Sequence, residues 1–192
     1  YLDGKKDGLI KEWYSNGNQK FEGTYAVGLL QGNCKQWYTD GKLESESNYK
    51  NGKKDGLCKE WYTDGKIKIE ANYLDGKKDG LIKEWYSNGN RKFEGSFKNE
   101  IKDGLIKEWY TDGKIKIEAN YLDGKLHGVC KRVSNVGQVV EEREYLNGFP
   151  VEVDISEIEI SSGRYYHVGT AELFSGFVKD ITGKVGQVVE ER

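Results

Sequence analysis

Residues 1–24 read YLDGKKDGLIKEWYSNGNQKFEGT, and most of the chain is this segment repeated. All five tryptophans, Trp13, Trp37, Trp61, Trp85 and Trp109, fall 24 residues apart. Eleven of the thirteen tyrosines occupy two positions of that period, and eighteen of the 25 glycines occupy three, typified by Gly4, Gly8 and Gly17. Self-similarity at a fixed period of this length marks a repeat array, in which neighbouring units stabilise one another without a single central core.

Each unit reads as two strands and two turns. Gly8–Tyr14 (GLIKEWY) forms the first strand, Ser15-Asn16-Gly17 the turn, and Asn18–Tyr25 (NQKFEGTY) the return. Asn-Gly or Asp-Gly between apolar-bearing runs is a strong hairpin signal, because Gly supplies the positive φ that the turn needs. It recurs at Asp40-Gly41, Asp64-Gly65, Asn88-Gly89 and Asp112-Gly113. Helix is excluded, since no segment between glycines is long enough and apolar residues do not recur at helical spacing. The expected fold is therefore all-β: an elongated, single-layer antiparallel meander of hairpins in a twisted, coiled open sheet.

Register decides which face is buried, because a one-residue slip flips every side chain. A three-residue loop with Gly17 left-handed pairs Tyr14 with Asn18, and hence Glu12 with Lys20. The same pairing sets Glu60, Glu84 and Glu108 against Lys68, Lys92 and Lys116. Where the return strand carries Glu44 instead of lysine, the opposing residue is Gln36, which favours this loop because like charges repel across strands. It predicts one face of Leu9, Trp13, Phe21, Gly23 and Tyr25, with cross-strand pairs Trp61–Ile67 and Trp109–Ile115. The opposite face is expected to be the charged one: Ile10, Glu12, Tyr14, Lys20 and Glu22. Gly8 and its equivalents are expected where an aromatic ring lies over bare strand backbone.

Composition narrows the function classes. Hydrophobic residues make up 36%, charged residues 32% and aromatic residues 12%, with a net charge of −2. Mean hydropathy is −0.80 and the pI is about 5.9. Aromatic residues held in strict register argue against disorder. Balanced charge offers no electrostatic case for nucleic acid, and no apolar run approaches the roughly 18 residues of a membrane span. No signal peptide is legible, and a chain without methionine that opens within a repeat is expected to be processed or truncated, so its compartment is left unassigned.

Across the unit the residues resemble the MORN repeat, specifically its bacterial variant, found in tandem in proteins described as antitoxin-like. The shared pattern, G-x-x-x-x-W-Y-x-x-G-x-x-x-x-E-x-x-Y-x-x-G-K-x-x-G, is clear from Gly56-Leu57-Cys58-Lys59-Glu60-Trp61-Tyr62 onward to Gly80. It covers residues 1–148 as six units. The resemblance implies a single-layer β-meander acting as a scaffold or binding surface without catalysis.

The period then decays. Val133 and Ser134 replace the Trp-Tyr pair, and Phe149-Pro150 carries the chain's one proline. Residues 149–192 are expected to form an aperiodic, leader-like or capping hairpin segment, with a turn at Ser162-Gly163, followed by one degenerate repeat. The two ends of the array invite head-to-tail stacking with another molecule, an expectation that a monomer by light scattering would overturn.

Little catalytic chemistry is legible. Cys34, Cys58 and Cys130 share one register with Ile10, Ile82 and Ile106, and read as small buried apolar groups. Equivalent positions two strands apart lie about 9.6 Å from each other, too far for a disulfide. His127 stands where Asp7, Asp55, Asp79 and Asp103 stand, as a turn-capping residue. No nucleophilic triad, phosphate loop or metal motif appears, and no cofactor or metal is expected. The periodic Glu22 and Lys11 series reads as solvated cross-strand ladders. That leaves the aromatic residues. Trp13, Trp37, Trp61, Trp85, Trp109, Tyr49, Tyr73 and Tyr121 are the candidate contacts for a protein partner, in an aromatic trough. The competing readings are a surface or structural spacer in which repeats serve length, and a carbohydrate- or lipid-surface binder.

Overall fold

The computed structural model describes residues 3–151 continuously and, beyond them, the backbone of residues 153–154, 158–161, 164–167, 177–179 and 185–187. The first six strands are β1 (Gly8–Trp13), β2 (Gln19–Ala26), β3 (Leu29–Trp37), β4 (Leu43–Lys50), β5 (Lys53–Trp61) and β6 (Ile67–Leu74). The next six are β7 (Lys77–Trp85), β8 (Arg91–Lys98), β9 (Ile101–Trp109), β10 (Ile115–Leu122), β11 (Lys125–Val133) and β12 (Val139–Leu146). With the short β13 (Phe149–Pro150) they form one open 13-stranded sheet in which every strand pairs with its sequence neighbours. The all-β antiparallel meander expected from the period is the fold observed.

The hairpin loop is the three-residue one. Tyr14 N–H donates to Asn18 O at 2.8 Å and Gly17 N–H to Tyr14 O at 3.0 Å. Gly17 lies at φ +88°, a left-handed conformation that Gly adopts without steric cost. The residue before it locks the turn through its own side chain: Asn16 Oδ1 accepts from Asn18 N–H, and Asp40 Oδ1 from Lys42 N–H.

Beyond the loop the register departs from expectation. Trp13 faces Gln19, but Glu12 faces Phe21, so Lys20 is an unpaired bulge residue. The same bulge falls at Glu44, Lys68, Lys92 and Lys116. Trp61–Ile67 and Trp109–Ile115 are cross-strand partners as expected. The direct Glu12–Lys20 type of pairing is not formed. Bulged lysines instead reach back to the expected glutamates, Lys68 to Glu60 at 3.1 Å and Lys92 to Glu84 at 2.9 Å. The charge compensation between Gln36 and Glu44 is thus a real proximity, read in the wrong register.

The extra residue flips the return strand and corrects the faces. Ile10, Glu12, Phe21, Gly23 and Tyr25 share one face, and Leu9, Lys11, Trp13, Gln19, Glu22 and Thr24 the other. The core lies on the face expected to be charged. Its central row runs Cys34, Ser47, Cys58, Ala71, Ile82, Gly95, Ile106, Ala119 and Cys130, all buried, with Ile82 and Ile106 only 1% exposed. Such burial is worth about 1.5–3 kcal/mol for each isoleucine. In a single layer it comes from flanking side chains closing over the row. Phe93 and Tyr73 are among those flanking residues, with Phe93 two residues from Gly95 and Tyr73 two from Ala71. All three cysteines are free thiols in this row, as their register implies.

Gly56, Gly80 and Gly104 face Tyr73, Phe97 and Tyr121 across the strands, but a Cβ added at these glycines would not meet the rings. The glycines take φ of +97° to +103° where the next hairpin shifts register, and a Cβ at Gly56 or Gly80 would lie nearest to the side chains of Asn48 and Asn72. Ring-over-glycine contact occurs instead at Gly23 and Gly95, where a Cβ would meet the Cζ of Phe21 at 2.8 Å or of Phe93 at 2.9 Å. Units with isoleucine in place of phenylalanine, Ile69 and Ile117, carry Ala71 and Ala119 in place of glycine. Ring and glycine are one packing choice, isoleucine and alanine the other.

Three ladders lock neighbouring units. Tyr14, Tyr38, Tyr62 and Tyr86 donate their hydroxyls to the carbonyls of Trp37, Trp61, Trp85 and Trp109 at 2.6–2.8 Å. Turn tips are chained likewise: Asn16 and Asn18 reach Thr39 O, Lys42 reaches Thr63 O and Lys66 reaches Ser87 O. At the opposite edge Asp7, Asp55 and Asp79 accept the backbone N–H of Val27, Asp75 and Asn99. At the join to the sixth unit Tyr110 still donates to Val133 O, but within that unit Ser134 binds its own turn through Gln138 N–H.

Beyond the long sheet, β15 (Ile158–Ser161) and β16 (Arg164–His167) pair antiparallel with Ser161 opposite Arg164. β17 (Phe177–Lys179) pairs antiparallel with β18 (Val185–Gln187) and parallel with β14 (Val153–Asp154). The turn at Ser162-Gly163 and the terminal residues Tyr1 and Arg192, on which the stacking expectation rests, lie outside the described residues.

Candidate functional site

The bulge separates the candidate contact residues into two sets. Trp13, Trp37, Trp61, Trp85 and Trp109 lie on one face, each at the end of its strand. Tyr49, Tyr73 and Tyr121 lie on the core face, opposite Gly32, Gly56 and Gly104. The structure therefore brings together the tryptophans with one another and the tyrosines with one another, but not the two sets. Trp13 is 58% exposed, and the other four tryptophans are half-buried.

The tyrosines are part of the packing. Burial pushes the phenols of Tyr49, Tyr73 and Tyr121 above their ordinary range. Lysine ammoniums sit over the same row: Lys54 is 5.1 Å from the Tyr73 ring centre and Lys102 is 4.9 Å from that of Tyr121. Phe97 takes the tyrosine position in its unit and carries Lys78 at 5.8 Å.

On the tryptophan face the expected ladder is present in full. Lys11, Glu22, Lys35, Glu46, Lys59 and Glu70 face one another in succession across the strands, and the alternation continues to Lys131 and Glu142. Ion pairs of 2.8 Å (Lys11–Glu22), 2.9 Å (Lys59–Glu70) and 2.7 Å (Lys107–Glu118) close it. Pairs this exposed contribute little to stability, because water screens them. They keep the row solvated and neutral between a row of exposed leucines (Leu9, Leu57, Leu81, Leu105) and the tryptophans.

A groove of about 360 Å³ opens on the core face where Tyr86, Phe93 and Phe97 approach Glu84 and Glu108, and Trp109, at its strand end, is the one tryptophan that also lines it. A smaller one, about 180 Å³, recurs at Glu12, Tyr14 and Phe21, the same register positions. Sequence reasoning missed these residues. The signal was the joint exchange of Phe21/Gly23 and Phe93/Gly95 for Ile/Ala in the sister units.

Among the described residues no group of three or more His, Cys, Asp or Glu side chains is placed to hold a metal ion. Burial pushes the thiols of Cys34 and Cys130 up, away from the reactive thiolate. His127 occupies the turn-capping aspartate position, yet its buried Nδ1 has no partner among the described residues. No helix there is long and apolar enough to cross a membrane.

Stacked hairpins tied by repeating side-chain ladders define a repeat scaffold. The family model of the MORN repeat variant matches residues 6–26, 30–51, 54–75, 78–99 and 102–123, more than half of the chain, and the protein belongs to that family. Such repeats typically serve as non-enzymatic scaffolds that bind proteins or membranes. No curated protein matches the chain.

Proposed function

We propose that this protein is a non-enzymatic scaffold that holds a protein partner through its aromatic faces, with residues 1–148 acting as a six-unit array and 149–192 as a separate capping segment. The observation that carries this reading is the half-burial of Trp61 and Trp85 on a face with no second layer among the described residues. Rings needed only for packing would be covered; rings that keep accessible surface in a row of five supply the anchors that interfaces favour. Trp13, Trp37 and Trp109 extend that row, and Tyr49, Tyr73 and Tyr121 serve the opposite face. The antitoxin-like character associated with the bacterial variant points to a toxin as the class of partner.

A spacer role is the second reading. It is favoured by the identity of residues 59–77 with 107–125, and by the single difference, Gln19 against Arg91, between 1–23 and 73–95. Such sequences change length readily. Pull-down from the native host with wild type, Trp61→Ala and Trp85→Ala separates the two. The scaffold reading expects a partner that both variants lose; a spacer captures none that depends on these rings.

A further inference from the structure

Along the core face the residues beside the central row run Glu60, Ile69, Glu84, Phe93, Glu108 and Ile117, each facing the next across the strands. Phe93 is thus an aromatic ring with a carboxylate directly on either side. Phe21, its counterpart, has Glu12 on one side and the neutral Gln36 on the other. The Phe93 position also opens into the larger groove, with Tyr86 and Phe97 on its walls and Lys78, Lys92 and Lys116 lining it beside Glu84 and Glu108.

We propose that this groove is a binding site for a guanidinium group, the side chain of an arginine on a partner polypeptide. The proposal rests on the scaffold reading above and gives its partner a chemistry. A guanidinium stacks on an aromatic face and donates paired N–H groups to carboxylates, so a ring between two carboxylates meets both demands. The face already accepts cations over its rings, as Lys78 over Phe97 shows.

Each carboxylate is met by one lysine. Lys92 meets Glu84 at 2.9 Å and Lys116 meets Glu108 at 3.8 Å, with both lysine side chains nearly half exposed. Exposed pairs of this kind contribute little. An incoming guanidinium therefore exchanges two weak contacts for a stacked and bidentate one, while the displaced ammoniums turn to water. Lysine would lack the planar fork, and a neutral isostere the charge.

The test is titration of the full chain, followed by amide NMR, with blocked Gly-Arg-Gly, Gly-Lys-Gly and Gly-citrulline-Gly peptides. The arginine peptide is expected to shift Glu84, Phe93 and Glu108, the lysine peptide to bind more weakly, and the citrulline peptide to leave them unmoved. Glu108→Gln, and the pair Phe93→Ile with Gly95→Ala, should each weaken arginine binding about tenfold or more, as loss of a charge-assisted contact does. Both changes install residues found at the same positions in sister units, Gln36 and Ile69/Ala71, and urea unfolding checks that they fold. Equal response to arginine and citrulline, undiminished binding by the variants, or no shift up to peptide solubility would overturn the proposal. A host partner held equally by wild type and groove variants would overturn the site alone; an arginine response without any host partner would leave the site standing and remove the scaffold reading.

Discussion

Tyr62 donates its hydroxyl to the backbone carbonyl of Trp85, 2.7 Å away and one unit further along the chain. The tyrosine beside each tryptophan is therefore a clasp on the next unit, and it points always toward the C-terminus. Replacing Tyr62 by Phe keeps the ring and removes the donor, leaving a part-buried carbonyl without it. The expected loss is about 1 kcal/mol, read as a lower urea midpoint with an unchanged slope. The same change at Tyr145, whose hydroxyl meets Glu141 within its own strand, should not weaken the contact between units.

The pairing of Phe93 with Gly95 predicts strong coupling. Gly95→Ala alone forces a Cβ against the Cδ1 end of Ile106 and to within 2.9 Å of the Phe93 ring, an overpacking expected to cost about 1–3 kcal/mol. Adding Phe93→Ile should recover most of that loss, because the double variant restores the Ile69/Ala71 arrangement. A double-mutant cycle by urea unfolding measures it. Additive effects would show that ring and glycine are independent.

His127 is the weak link of the edge ladder. Asp7, Asp55 and Asp79 cap the following turn by accepting a backbone N–H, whereas the buried Nδ1 of His127 is unpartnered among the described residues. His127→Asp should place a carboxylate acceptor beside Asn147 N–H and stabilise the protein by about 1 kcal/mol at neutral pH. Thermal unfolding of the variant checks the sign; a lower midpoint would mean that the histidine serves another purpose.

Titration gives the array an alkaline weakness. Burial raises the pKa of Cys34, Cys130, Tyr49, Tyr73 and Tyr121. Above the unfolded values, about 8.5 for Cys and 10 for Tyr, the unfolded chain releases protons that the folded chain retains. Stability should be fully present below that range and fall as pH rises through it. Urea midpoints between neutral pH and the tyrosine range test this; a flat profile would show that these groups ionise freely in the fold.

The period disclosed the hairpins, the three-residue loop, the buried cysteines and the charge ladder, because each depends on residues within one unit. It did not disclose the bulge at Lys20. A bulge leaves no trace in alternation except two polar-apolar steps that fail to match, and Gln19-Lys20-Phe21-Glu22 reads as an ordinary strand. That single residue moved Phe21 and Tyr25 away from Trp13 and so divided the expected aromatic trough into two faces. The Tyr62–Trp85 clasp was likewise hidden, since its acceptor is a carbonyl that any residue would carry.

Identical units also predict that the array can be shortened without making any new surface meet. Residues 59–77 and 107–125 have the same sequence. Deleting 59–106 joins Cys58 to Lys107 and rebuilds residues 53–77 letter for letter. Upstream, the rejoined strand meets β4 through its native partners; downstream, Ala119 and Tyr121 keep their own partners on β11. Two hairpins are lost and every remaining contact between units is native, so the shortened chain should fold to the same antiparallel β spectrum. Its stability should fall, because a stacked array sums nearest-neighbour terms, and its urea slope should fall with the surface buried. An unfolded or aggregated product would mean that the deleted units hold contacts beyond their neighbours, against the strand order of the sheet.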